Sequence, residues 1–256
     1  MSFLDDISSV GNSVSNFFSE NSIASSLVKV AGIALIANEL SKNAIKDNNS
    51  DTSNIDAGVR LQVAPNTDSK IPVLYGSAFF SGNITDAVMT NTNKTMYYAI
   101  TLTEKTGTKL SDGLASTYLV EDIYWNDQRI IFKTDGITVD YTVDRDSNID
   151  YSLQSQVSII TYVGGSASPQ TPTGYTNTEL DNAASYFPGW TTSTHTMNNL
   201  IFSVVKVDYN RDKNVTGLGT VKYHLTNSMH KPGDCLYDYM TNTRYGAGID
   251  PTEINT

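Results

Sequence analysis

The side chains best equipped for chemistry gather near the end of the chain. His224, His230, Asp234 and Cys235 fall within a dozen residues, which raises the question of a metal site. Their spacing matches no zinc pattern, and Cys235 is the only cysteine, so a second thiolate ligand is missing. His195, the remaining histidine, lies far away in sequence. Asp144, Asp146 and Asn148 alternate like the start of a calcium loop, and Asp208, Asn210 and Asp212 do so more loosely. The first run has Ile149 where the sharp turn requires glycine and Ser155 where a bidentate glutamate would stand. Polar turns between strands produce such runs. Glu121 and Asp122 are adjacent on an expected strand, so they point to opposite faces and cannot flank a sugar ring together. There is no nucleophile elbow, phosphate loop or dinucleotide fingerprint. The expectation is a protein that is not an enzyme, with no catalytic residue, cofactor or metal.

Binding by shape is the remaining class. Tyr97, Tyr98, Tyr118, Tyr124, Trp125, Tyr141 and Tyr151 could stack on sugars, which would make the chain a carbohydrate- or receptor-binding adhesin module. Tyrosines on half-wet sheets more commonly serve the core and subunit contacts, and that is the expectation here. Of 256 residues 39 % are apolar and only 17 % charged, with 15 tyrosines, a composition of β structure with a polar surface. A net charge of −10 argues against stable nucleic-acid binding. The acidic N-terminus is unlike a secretory signal, so assembly in a cytosol is expected.

The elements that must position these residues follow from periodicity. Residues 1–46 read as a helical docking or oligomerisation segment. Its apolar run carries Leu27, Val30, Ile33, Leu35 and Ile36 on nearly every side of a helix, and is too short to span a bilayer. Residues 47–70 are Asn-, Asp-, Ser- and Thr-rich, a linker or extended arm in which Val59, Leu61 and Val63 could add an edge strand. Residues 71–256 form the β-rich domain. Strands are expected over 71–75, after Gly82, and over 97–103, 118–125, 128–132, 137–143, 157–163, 200–209 and 221–225. Asn126 and Asp127 make the strongest turn signal, because both tolerate positive φ. Residues 164–178 read as a long contact loop and 179–187 as a short helix ended by Pro188 and Gly189.

A last helix is expected after Lys231. Pro232 suits its first turn and Asp234 the positive end of its dipole. Leu236, Tyr239 and Met240 form an apolar face that should be buried. Asn242 and Gly246 offer left-handed stops, and Arg244 suits the last carbonyls. The expected fold class is mainly β, an antiparallel barrel or sandwich with an N-terminal helical segment and a short C-terminal helix.

Taken in order, several of these stretches resemble one family. Ile71 to Gly76, with Pro72, Tyr75 and Gly76, followed by Gly82, is similar to a signature near the start of the central tail-tip or baseplate-hub proteins of tailed bacteriophages. That group is typified by the host-specificity protein J of lambda-like phages. Val120 to Asp127, with Asn126, resembles the family's hairpin; Val157 to Gly165, with Gly164 and then Gln170, resembles its strand–glycine–glutamine passage. Leu236 to Gly248 is close to its C-terminal box through Thr241, Asn242, Arg244, Tyr245, Gly246 and Gly248. The resemblance spans residues 71–248. It implies a β-rich hub domain that forms a homotrimer on the tail axis, closes or continues the tube, and anchors spike or receptor-binding parts. Implied partners are the tube, the distal tail or baseplate, the tape measure and a spike or fibre, with only transient passage of DNA. The implied location is the virion tail tip or baseplate, after assembly in the host cytoplasm.

Overall fold

In the computed structural model the described residues are 59–60 and 70–254, all within the unit Thr52–Thr256. The residues expected to form the N-terminal helical segment, Leu27, Val30, Ile33, Leu35 and Ile36 among them, lie outside the described residues, as do 61–69 of the arm.

Two sheets account for the fold, which is a sandwich and not a closed barrel. The first contains β1 (Val59–Arg60), β2 (Ser77–Phe80), β12 (Val221–Asn227), β5 (Tyr118–Trp125), β6 (Gln128–Phe132), β7 (Val139–Val143) and β8 (Ile149–Asp150), in that spatial order. The second contains β10 (Pro169–Gln170), β9 (Val157–Tyr162), β11 (Leu200–Asp208), β4 (Thr95–Glu104) and β3 (Asn83–Thr90). Every pairing is antiparallel except the two-residue β1, which runs parallel to β2 at the sheet edge. The main core draws Ile100, Leu102, Ile159 and Val205 from one sheet and Val120, Ile123, Tyr223 and Leu225 from the other, so it lies between the layers.

The second sheet is covered on its other face as well. Phe187 and Trp190 stack there with Tyr162 and Phe202 in a separate apolar cluster. That explains why β4, whose sequence alternates, is buried on both faces from Tyr98 to Glu104. The covering segment is not the helix expected over 179–187. It forms only a 3-10 turn, Ala183–Ser185, capped by the Asn182 side chain, before Pro188 redirects the chain. Phe187, just after the turn, meets Trp190 at 4.6 Å between ring centroids.

The turn at Asn126 and Asp127 forms as expected, with φ of 49° and 67°. Asn126 also ties β5 to the 217–220 loop, accepting from the Thr220 N–H at 2.8 Å. The strand expected over 71–75 does not form. Only Val73 bridges to Glu104, through the Glu104 N–H on the Pro72 carbonyl, and the Leu74 N–H turns to the Thr103 hydroxyl instead of continuing a ladder. Gln170 joins the layers, with its side-chain amide bonded to the Val120 N–H and the Tyr118 carbonyl. No helix among the described residues is long and apolar enough to cross a membrane.

Gly82 has φ of +68°, and a methyl group there would sit 2.7 Å from both Ile100 and the Thr101 carbonyl oxygen. Gly113 has a similar φ of +70° but open space around it. Alanine at Gly82 therefore costs left-handed strain plus a core clash, on the order of 3 kcal/mol, against about 1 kcal/mol at Gly113. Urea denaturation checks this as a larger fall in midpoint for Gly82→Ala than for Gly113→Ala at unchanged slope.

Candidate functional site

The helix expected after Lys231 is α1 (Pro232–Thr241), with proline in its first turn and Asp234 beside it. Its orientation is the reverse of the expected one. Leu236 is 60 % exposed and Tyr239 52 % exposed, whereas Asp234 and Asp238 are buried at 3 % and 4 %. Two aspartates four residues apart share a face, and that face is the one turned inward.

Each aspartate meets donors from the loop that follows β4. Asp234 accepts from the Ser111 N–H and the Ser111 hydroxyl, both at 2.7 Å. Asp238 accepts the Gly107 N–H on Oδ1 at 2.8 Å. Its Oδ2 receives two phenols, Tyr75 at 2.7 Å and Tyr245 at 2.6 Å. One carboxylate thus joins the 71–76 segment, the 105–117 loop, α1 and the chain after α1. Desolvation alone would make such a burial costly, and the donors offset it. Burial, followed by the hydrogen bond to Asp238, pushes the Tyr75 and Tyr245 phenols far above the usual tyrosine range. The Ser111 hydroxyl, ahead of the backbone N–H and Lys231, holds Asp234 below its usual range.

Behind these lies a neutral network. The Asn227 amide donates to the Leu74 carbonyl at 2.7 Å and reaches Thr106 Oγ1 and the Tyr118 hydroxyl, while its oxygen accepts from the Met229 N–H. Gly76, with φ of +75°, donates its N–H to the Met229 carbonyl and accepts from the Asn227 N–H. Arg244 forms a two-pronged ion pair with Glu104, Nε to Oε2 at 2.9 Å and Nη2 to Oε1 at 3.1 Å.

The chain after α1 closes back over the helix end. Asn242 is extended, with φ of −71°, and its side chain accepts from the Arg244 and Tyr245 N–H groups. The Ala247 and Ile249 N–H groups then take the Tyr239 and Met240 carbonyls. Neither Asn242 nor Gly246 is the left-handed stop expected of it. Gly246 is required instead because any side chain would collide with the Tyr239 carbonyl, and Gly248 supplies the left-handed residue with φ of +66°. Arg244 reaches Glu104 across the loop instead of the helix carbonyls. Thr241 bonds back to the Tyr237 carbonyl.

The structure therefore brings Pro72, Tyr75, Gly76, Thr241, Asn242, Arg244, Tyr245, Gly246 and Gly248 to one region. Gly82, Asn126 and Gly164 stand elsewhere, at the β2–β3 turn, the β5–β6 turn and the turn after β9. Asp234, Asp238, Glu104, Ser111 and Asn227 are the members that sequence reasoning did not assign to this contact. The acidic pair at helical spacing is a signal for Asp234 and Asp238 alone, and no local pattern marks Glu104, Ser111 or Asn227. The three histidines do not converge with it: His224 stacks on Phe79, His195 on Trp190, and His230 bonds the Ser228 carbonyl. The Asp144 carboxylate is engaged by the Asp146 and Asn148 N–H groups of its own turn. Among the described residues no group of three or more His, Cys, Asp or Glu could hold a metal ion. What this arrangement can do is fasten: it locks a C-terminal cap onto the domain by directional bonds.

No protein-family model matches the chain, and no curated protein matches it.

Replacing Asp238 by alanine leaves two phenols and an N–H without their acceptor, at a cost of about 3 kcal/mol, against about 1 kcal/mol for Tyr75→Phe. A double-mutant cycle by chemical denaturation should return a coupling of about 1 kcal/mol or more between Asp238 and Tyr75. The pH dependence has a sign on each side. Asp234, lowered from 3.8, adds stability above that pH which is lost as pH falls through its folded value. Tyr75 and Tyr245, raised from 10.0, add stability below that pH which is lost as pH rises beyond it. Denaturation midpoints across pH should show both losses, and Ser111→Ala should bring the NMR-titrated Asp234 carboxyl back toward 3.8.

Proposed function

We propose that this chain is a structural component of a bacteriophage tail tip or baseplate. In this reading it is a hub that works as a trimer, closes or continues the tail tube, and holds spike or receptor-binding parts. Its neighbours would be copies of itself, the tube, the distal tail or baseplate and the tape measure, and its place the virion.

One observation supports the reading above others. The residues that carry the first and last parts of the family resemblance are far apart in sequence, yet Tyr75 and Tyr245 share the Asp238 carboxylate. Motifs that resemble a family by chance have no reason to fall into one bonded unit. The chemistry is also that of a scaffold: the buried acidic groups at this unit are engaged by hydroxyl, N–H and guanidinium donors of the protein itself.

The test is the size of the purified full chain in solution together with imaging of tailed particles that contain it. A trimer in solution, placed on the axis at the tail end, is the expected result. A monomer that binds glycans and is absent from particles would overturn the reading.

A further inference from the structure

Lys105 follows β4 directly, and its side chain is half-buried. The other lysines of residues 94–254 are engaged or open to solvent. Lys109, Lys206 and Lys222 pair with aspartates, Lys133, Lys213 and Lys231 with oxygens of Ser155, Gln154 and Ser111, and Lys94 is exposed. Lys105 alone is half-buried with no acceptor for its ammonium among the described residues. The long stem lies along the protein while its ammonium keeps a charge that no carboxylate among the described residues offsets, so that charge is open to an anion.

Its surroundings supply further donors. The chain leaves β9 through a turn from Gly164 to Ser168, closed by the Val163 N–H on the Ser168 carbonyl and the Ser168 N–H on the Gly165 carbonyl. The Lys105 ammonium lies over this turn. A methyl group on Gly164 would be 3.1 Å from Nζ and 3.5 Å from the Ser168 hydroxyl oxygen, so both groups border one point. The Gly164 and Gly165 N–H groups donate to no acceptor among the described residues. Backbone bonds fix the setting: the Lys105 N–H holds the Asn199 carbonyl and the Ser166 N–H holds the Thr196 carbonyl. An ammonium, a hydroxyl and free N–H groups on a glycine turn are the donor set that recognises a compact oxyanion.

We propose that Lys105 and the Gly164–Ser168 turn form a binding site for a tetrahedral oxyanion of the phosphate class. The ammonium supplies the charge, Ser168 and the glycine N–H groups supply direction, and Gly164 lets the ammonium approach the backbone. A net charge of −10 gives the protein no general attraction for anions, so affinity here is local. The site stands independently of any role in a phage tail.

The experiment titrates the full chain with inorganic phosphate in chloride buffer, followed by amide NMR at Gly164 and Gly165. Saturable shifts at those amides are expected. Lys105→Met should weaken binding at least tenfold. Gly164→Ala should do the same by displacing the ammonium, since Gly164 does not have the positive φ that would strain an alanine. Lys94→Met should leave binding unchanged, and acetate should bind at least tenfold more weakly than phosphate. Absence of saturation, equal loss in Lys94→Met, or acetate matching phosphate would overturn the proposal.

Discussion

The carboxylate of Asp238 is the point on which the rest of this structure turns. It is almost wholly withdrawn from water and takes three donors from three separate stretches of chain: Gly107, Tyr75 and Tyr245. A carboxylate so placed loses several kcal/mol of hydration, and bonds to a charged acceptor return about 1.5–3 kcal/mol each. The two sums are of similar size, so the contact adds little to net stability. What it adds is uniqueness. Any arrangement that withdraws one partner leaves a buried charge short of a donor, and that defect is expensive.

This constraint explains why a helix with exposed Leu236 and Tyr239 stays where it is. Burial of its apolar side is not what fixes α1. Directional bonds accepted by Asp234 and Asp238 fix it, aided by Arg244 on Glu104 and by Gly246 pressed against the Tyr239 carbonyl. The sandwich beneath is conventional by contrast, with one core between the sheets and a second under Phe187 and Trp190. Asn227, at the end of β12, links the two regimes: it continues the sheet and also satisfies Leu74 and the Tyr118 hydroxyl.

Much of the sandwich was legible in the sequence, because period-two alternation and Asn126–Asp127 depend only on local geometry. The strands over 97–103, 118–125, 128–132 and 200–209 all form. The 3-10 turn that replaces the helix expected over 179–187 was illegible, because Phe187 and Trp190 pack in one cluster with Phe202 and Tyr162, which are distant in sequence. The face of α1 misled for a sharper reason. Leu236, Tyr239 and Met240 give the ordinary apolar stripe, and the competing stripe of Asp234 and Asp238 is buried only because Ser111, Gly107 and Tyr75 stand opposite. No local pattern announces a donor set assembled from three loops. The two end stretches that carry the family resemblance do meet in space through Tyr75, Tyr245 and Asp238, a contact that the sequence did not announce.

Native-state hydrogen exchange across a urea series tests the central claim directly, that one carboxylate makes these segments a single cooperative unit. The account predicts that the amides of Gly107, Ser111, Gly76 and Ala247 open together, with one free energy and one urea dependence. Exchange of Ala247 and the α1 amides at a free energy well below that of Gly76 and Gly107 would mean that the cap detaches by itself, and would contradict it.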